Sequence, residues 1–108
     1  MLGKKKKEQN SWTWSEDPAK GTAIIGGEID FSGSPRVREA LHGFIKRTQG
    51  DVALDLGELE YLDSSGLAVL IEARRVLQEQ GRSIRIVAIT DQVSKIFQLT
   101  QVGELFGL

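Results

Sequence analysis

From Thr22 onward, short β-branched and apolar runs alternate with longer stretches whose apolar residues recur at helical spacing. This alternation limits the fold more than any other feature, because a strand–helix–strand passage needs a crossover and so places its two strands parallel. Thr22 to Ile29 reads as a strand interrupted by Gly26 and Gly27, glycines that mark a bulge or a close backbone contact. A helix follows. Ser34 suits its N-cap, Pro35 its first helical position and Gly50 its stop, while Val37, Ala40, Leu41, Phe44 and Ile45 share one face. His42, beside that stripe, reads as a helix-surface residue. Val52, Leu54 and Leu56 alternate as a strand, and a short polar link leads to Tyr61-Leu62.

The pattern turns helical again from Leu67 to Gln80, with Gly81 as the stop. Ile84 to Ile89 is nearly continuous in apolar residues, as in the interior of a parallel sheet. Thr90 or Asp91 caps a last helix whose buried side carries Val93, Ile96, Phe97 and Thr100. Ahead of all this, Ser11-Trp12-Thr13-Trp14 and the turn Pro18 to Gly21 make an edge strand hairpinned to Thr22 onward. The predicted order is β-β-α-β-α-β-α. It describes an α/β domain with a mixed, mostly parallel sheet of about four strands and helices packed against it.

A length of 108 residues suits one core, expected over residues 11–108, with residues 1–10 as a solvated, disordered tail rich in lysine at Lys4 to Lys7. Fourteen basic and fifteen acidic side chains leave a net charge of −1, which argues against a nucleic-acid partner. The chain has no cysteine and one histidine, so thiolate and histidine metal sites are not expected, nor any cofactor. Its apolar runs fall short of a membrane span and its start has no apolar signal core, so a cytoplasmic location without stable membrane insertion is expected.

The loop Asp63-Ser64-Ser65-Gly66 falls where a strand's carboxyl end meets a helix N-terminus, the place where open α/β sheets gather functional groups. The first turn of the following helix offers free N–H groups and a positive dipole end, so a phosphate on Ser64 finds favourable surroundings. Asp63 can orient the hydroxyl, yet it also repels a phosphate placed beside it. Gly66 permits close approach of another backbone. Plain N-capping, however, calls for the same Asp and Ser residues. No Gly-x-Ser-x-Gly elbow and no Gly-x-x-x-x-Gly-Lys loop is present, so neither a serine hydrolase nor a nucleotide hydrolase is expected.

Gly27-Glu28-Ile29-Asp30, then Asp55-Leu56 through Tyr61-Leu62-Asp63-Ser64-Ser65-Gly66-Leu67, then Ile86 to Ile89 and Gln92 to Leu99, resemble a STAS domain of the bacterial anti-sigma factor antagonist type. The likeness runs from about Trp12 to Leu108 and is most specific at Asp-Ser-Ser-Gly-Leu. It implies a non-enzymatic switch that binds a serine-kinase anti-sigma factor and frees a sigma factor for transcription. Phosphorylation of Ser64 ends the association and a phosphatase restores it. The resemblance also implies partner contacts at Asp30, Ser34, Asp63, Ser65, Gly66 and Leu67.

A second resemblance is to the STAS subunit of a bacterial phospholipid-transport ABC system. There the domain docks on the ATPase through a surface including Ser65 and Leu67, and Ser64 needs no phosphate. Other STAS roles, such as a stressosome-like scaffold or a light or nucleotide sensor, stand behind these two. STAS domains usually continue into a further C-terminal helix, so with the sequence stopping at Phe106-Gly107-Leu108 any surface built by that helix is expected to be missing or trimmed. The Lys-rich start is not a hallmark of the family.

Overall fold

The computed structural model describes residues 11–108; the segment expected as a tail lies outside the described residues. Its elements are β1 (Trp12–Asp17), β2 (Thr22–Ile29), α1 (Ser34–Arg47), β3 (Val52–Leu62), α2 (Ser64–Glu79), β4 (Ile84–Ile89), α3 (Asp91–Thr100) and a short 3-10 helix (Gly103–Phe106). One four-stranded sheet runs in the order β1-β2-β3-β4, with β1 antiparallel to β2 and both remaining pairs parallel. The hairpin, the edge position of β1 and the parallel crossovers all match the alternation in the sequence.

Two successive crossovers of one hand, moving the same way across the sheet, set their helices on one face. Accordingly α1 and α2 pack against each other. Beneath them the inward residues of the strands (Ala23, Ile25, Ile29, Leu54, Leu56, Leu59 and Ile86) close a single core with Leu41, Phe44, Leu70 and Leu77. Each such aliphatic side chain, fully buried, contributes about 1.5–3 kcal/mol relative to exposure. The other face of the sheet stays open, which is why β4 alternates buried Ile84 and Ile86 with exposed Arg85 and Val87. The single core wraps β1 as well: Trp14 meets Phe44 edge-on, with ring centroids 6.1 Å apart.

Several sequence expectations are corrected, among them the sheet-interior place of β4, which is an edge strand. The polar link before Tyr61 does not exist, because β3 is one strand of 11 residues. Against β2 it carries two irregularities, between Ile24/Gly26 and Gly27/Glu28, and each inserts an extra residue on β3. The inward set therefore moves from a spacing of two (Val52, Leu54, Leu56) to a spacing of three (Leu59, Leu62), which hides the strand from a search for strict alternation. Gly27, at φ 82°, permits one irregularity: a side chain there would strike the carbonyl of Ser11, just ahead of β1.

Ser34 is not the cap of α1. Its N–H donates to the Asp30 carbonyl at 2.8 Å, and the side chain that caps this turn belongs to Asp30. Nor does Gly50 stop α1, which ends at Arg47 with Thr48 as an extended C-cap. Arg82 satisfies that end from across the fold, donating to the Ile45 carbonyl (3.1 Å), the Thr48 hydroxyl (2.6 Å) and the Gly50 carbonyl (2.8 Å). Finally, His42 is half-buried on the interhelical side, with Nε2 3.6 Å from Glu72 Oε1 of α2.

Gly81 does stop α2. It takes φ 73° while Arg82 N–H reaches the Leu77 carbonyl and Gly81 N–H the Gln78 carbonyl, a Schellman pair. Thr90 caps α3 and also donates its hydroxyl to Leu59 at 2.7 Å, tying α3 to β3. Of the residues expected on the buried side of α3, Val93 and Phe97 are buried and Ile96 partly so, whereas Thr100 is exposed. After α3 the chain closes with the 3-10 helix, whose Phe106 meets Phe97 edge-on at 5.6 Å.

A candidate phosphoacceptor site at the carboxyl end of the sheet

The parallel strands β2 and β3 end level with each other, Ile29 opposite Leu62. Each then enters a loop of the same composition: Asp30-Phe31-Ser32-Gly33 ahead of α1 and Asp63-Ser64-Ser65-Gly66 ahead of α2. The two loops share one hydrogen-bond scheme. Asp63 Oδ1 accepts from Ser65 N (2.9 Å), Ser65 Oγ (2.6 Å) and Gly66 N (3.2 Å). Asp30 Oδ1 accepts from Ser32 N (3.0 Å), Ser32 Oγ (2.7 Å) and Gly33 N (3.1 Å). In both, the Asp carbonyl also accepts from the N–H four residues on, Leu67 N at 3.0 Å and Ser34 N at 2.8 Å. Asp63 is the N-cap of α2 and satisfies N–H groups that a helix start leaves without partners, whereas Asp30 closes the turn leading to Gly33, the N-cap of α1, which has no side-chain cap.

The loops are also joined to each other. Asp63 N–H donates to the Ile29 carbonyl at 3.2 Å, and the Phe31 N–H reaches the Asp63 carboxylate. For Asp63, burial opposes ionisation, but the Ser65 hydroxyl and the N–H groups of Gly66, Ser65 and Phe31 outweigh it and hold the pKa below the ordinary carboxylate value. For Asp30 the Ser32 hydroxyl is the main cause of a lowered pKa, followed by the Gly33 N–H. Asp63, next to Ser64 in the chain, and Asp30, on the neighbouring loop, are thus both ionised at neutral pH.

The capping scheme separates the two serines. Ser65 is half-buried and its hydroxyl is committed to Asp63 at 2.6 Å, whereas Ser64 is exposed and its hydroxyl has no hydrogen-bond partner among the described residues. N-capping thus accounts for Asp63 and Ser65 and leaves Ser64 with no structural task. Of the residues implicated from sequence, Asp30, Asp63, Ser64 and Ser65 come together at this end of the sheet, and the others face inward. Ser34 is buried with its hydroxyl 3.4 Å from the Phe31 carbonyl, and Leu67 is only 7% exposed.

Gly66 is buried too, and the close approach it permits is internal. A Cβ there would lie 2.5 Å from Leu62 Cδ1 and 2.9 Å from Ile29 Cγ2. In the free domain Ser34, Gly66 and Leu67 thus lie under the loop. The sequence reading did not single out Phe31, which is 76% exposed at the loop position equivalent to Ser64. The recurrence of Asp-x-Ser-Gly at 30–33 and 63–66 was the signal for it.

Residues 12–107 match a family model described as Mlab, STAS domain. The chain belongs to the STAS domain family. Relatives of this STAS domain include the anti-sigma-B factor antagonist of Listeria monocytogenes, 28% identical over 85 residues that cover 79% of this chain and 75% of the relative. The anti-sigma-B factor antagonist of Staphylococcus aureus is 25% identical over 81 residues, 75% of each chain. Among solved structures, an anti-sigma factor antagonist from Mycobacterium paratuberculosis aligns with a TM-score of 0.76 at 23% identity, covering 89% of this chain and 83% of the other. The anti-sigma factor antagonist SpoIIAA in its unphosphorylated form aligns at 0.72 with 21% identity, covering 86% and 84%. These structures share the fold: a mixed, mostly parallel four-stranded sheet with helices. Among the described residues no helix is long and apolar enough to cross a membrane.

Proposed function

We propose that this STAS domain is an anti-sigma factor antagonist whose binding to a serine-kinase anti-sigma factor is ended by phosphorylation of Ser64. One observation carries the reading: the Ser64 hydroxyl is exposed and without a partner at a rigid strand-to-helix junction, while its neighbour Ser65 is held by Asp63. The names of the relatives in Listeria and Staphylococcus support the general role.

In this reading the chemistry belongs to the partner. Ser64 Oγ attacks the γ-phosphorus of magnesium-bound ATP, ADP departs, and the hydroxyl proton passes to a base of the kinase. The domain itself supplies a fixed acceptor and no catalytic group. The product adds about −1.5 to −2 charges beside ionised Asp63. In a closed interface this raises both repulsion and desolvation cost, so the complex separates. A phosphatase reverses the step by hydrolysing the serine phosphate.

The test is incubation with a kinase-type anti-sigma factor and Mg-ATP, followed by intact mass and site mapping. The expected product carries one phosphoryl group on Ser64, absent from Ser64→Ala and retained in Ser65→Ala. Phosphate on Ser65, or none on any residue, sinks the switch.

A second reading is favoured by the family description itself, which names Mlab-type STAS domains. In it the domain docks on the ATPase of a phospholipid-transport ABC system, and Ser65 would serve at the edge of the contact. Burial of Leu67 bears on both readings alike, since each gave that side chain a partner contact. Co-purification with such an ATPase, with unmodified Ser64, would favour it over the switch.

A further inference from the structure

Phe31 is a large apolar side chain left 76% exposed beside the candidate acceptor. It is not on a slack loop. Its carbonyl receives the Ser34 hydroxyl at 3.4 Å, and the residues on either side belong to the turn closed by the Asp30 carboxylate, which accepts from Ser32 N and Gly33 N. Its position is set by register. Ile29 and Leu62 face each other on neighbouring parallel strands, and Phe31 and Ser64 each stand two residues further on, at the free second position of the same Asp-x-Ser-Gly turn. Neighbouring strands lie about 4.8 Å apart, so the two side chains leave the same end of the sheet as neighbours. One presents a hydroxyl, the other an aromatic ring. Ionised Asp30 precedes Phe31 in the chain and ionised Asp63 precedes Ser64.

We propose that Phe31 is the docking anchor of this domain: its ring enters an apolar pocket on the serine-kinase anti-sigma factor, next to that partner's nucleotide, and supplies affinity that keeps the Ser64 loop at that site. The inference rests on the reading of Ser64 as the phosphoacceptor and adds the residue that selects the partner. The occupant follows from continuity: a protein that brings ATP to Ser64 must cover the neighbouring second position, and an aromatic side chain has only two rotatable angles to fix when covered. Buried aromatic side chains are the usual carriers of interface affinity. Because Phe31 does not touch the reacting atoms, its contact is made equally in the ground and transition states. Its removal therefore raises KM and leaves kcat in place.

The experiment uses the full chain and a purified kinase-type anti-sigma factor from the same organism, loaded with a non-hydrolysable ATP analogue for binding and with Mg-ATP for turnover. Phe31→Ala is expected to weaken Kd and raise KM by about thirtyfold, the size typical of an interface anchor, with kcat within about twofold. Phe31→Leu, which keeps apolar bulk, should recover most of the loss. Thermal melting of both variants should match the parent, since the ring packs little of its surface in the free domain.

A Kd and KM for Phe31→Ala within twofold of the parent, with phosphate still arriving on Ser64, overturns the anchor and leaves the switch standing. A fall in kcat at unchanged Kd also overturns it. A parent chain that neither binds nor accepts phosphate from the kinase defeats the switch itself, and the anchor with it.

Discussion

The two Asp-x-Ser-Gly loops share one hydrogen-bond scheme, but Asp63 caps its helix directly while Asp30 closes a turn ahead of Gly33, the N-cap of α1. In each, an Asp carboxylate gathers the N–H and hydroxyl of a serine two residues on and the N–H of the following glycine. They differ in what stands at the second position, Phe31 in one and Ser64 in the other, and in how tightly the glycine is packed. Gly66 sits against Leu62 and Ile29, whereas a Cβ on Gly33 would only brush the Trp12 ring at 3.2 Å. Capping fixes the first, third and fourth residues of such a turn and leaves the second unconstrained. Residues that serve the fold and residues available for function are therefore interleaved within four positions.

The largest expected effect separates neighbours within one loop. Ser64→Ala removes all kinase-dependent phosphate while its unfolding free energy stays within about 0.5 kcal/mol of the parent, as for other exposed sites without partners. Ser65→Ala keeps the phosphate and loses about 1 kcal/mol, the net worth of one hydrogen bond. Phosphopeptide mapping and urea denaturation check both, and a reversed pattern would show that the caps are misassigned.

The next effect compares the glycines. Gly66→Val forces methyl groups into Leu62 and Ile29 and is expected to cost about 3 kcal/mol by overpacking. Gly33→Ala, at an N-cap residue with φ −93°, ψ −21°, should cost less than about 1 kcal/mol, because Ala adopts that backbone without strain and the half-buried Trp12 ring needs to give by only a few tenths of an ångström. Equal losses in denaturant midpoints would deny the difference in packing.

A smaller loss attends the cap itself. Asp63→Ala should lower stability by about 1 kcal/mol, measured by urea unfolding at neutral pH. Asp63→Asn, which keeps an acceptor oxygen, should lose less. The smallest effect is in pH dependence. The folded pKa of Asp63 lies below its ordinary value of 3.8, so its contribution is complete above that value and is lost as pH falls through the folded pKa. Denaturation midpoints from about pH 5 to pH 2 should therefore fall more steeply in the parent than in Asp63→Asn.

Much of this was legible in the chain because it depends on local chemistry. The hairpin, the parallel crossovers, the stop at Gly81 and the Thr90 cap follow from periodicity and from residue types with special backbone or side-chain chemistry. Two termini of α1 were misjudged for a shared reason. Ser34-Pro35 and Gly50 carry the standard signals, but the turn closed by Asp30 delivers Gly33 as the N-cap, and Arg82, distant in sequence, reaches the Ile45 carbonyl and Thr48 hydroxyl at the other end. The missing half of β3 had its inward leucines in view, but the irregularities that reset their spacing become visible only when β2 lies alongside.

At Asp63 to Gly66 the sequence by itself determined a helix start with an Asp-Ser-Ser-Gly cap, because capping is a contest among a few adjacent groups. It could not divide the labour among them. Only the tertiary structure decided that Ser65 is held while Ser64 is free, that Gly66 and Leu67 face the core, and that Phe31 stands beside Ser64. Those outcomes depend on the pairing of Ile29 with Leu62, a contact between strands separated by an entire helix, and no local pattern encodes it.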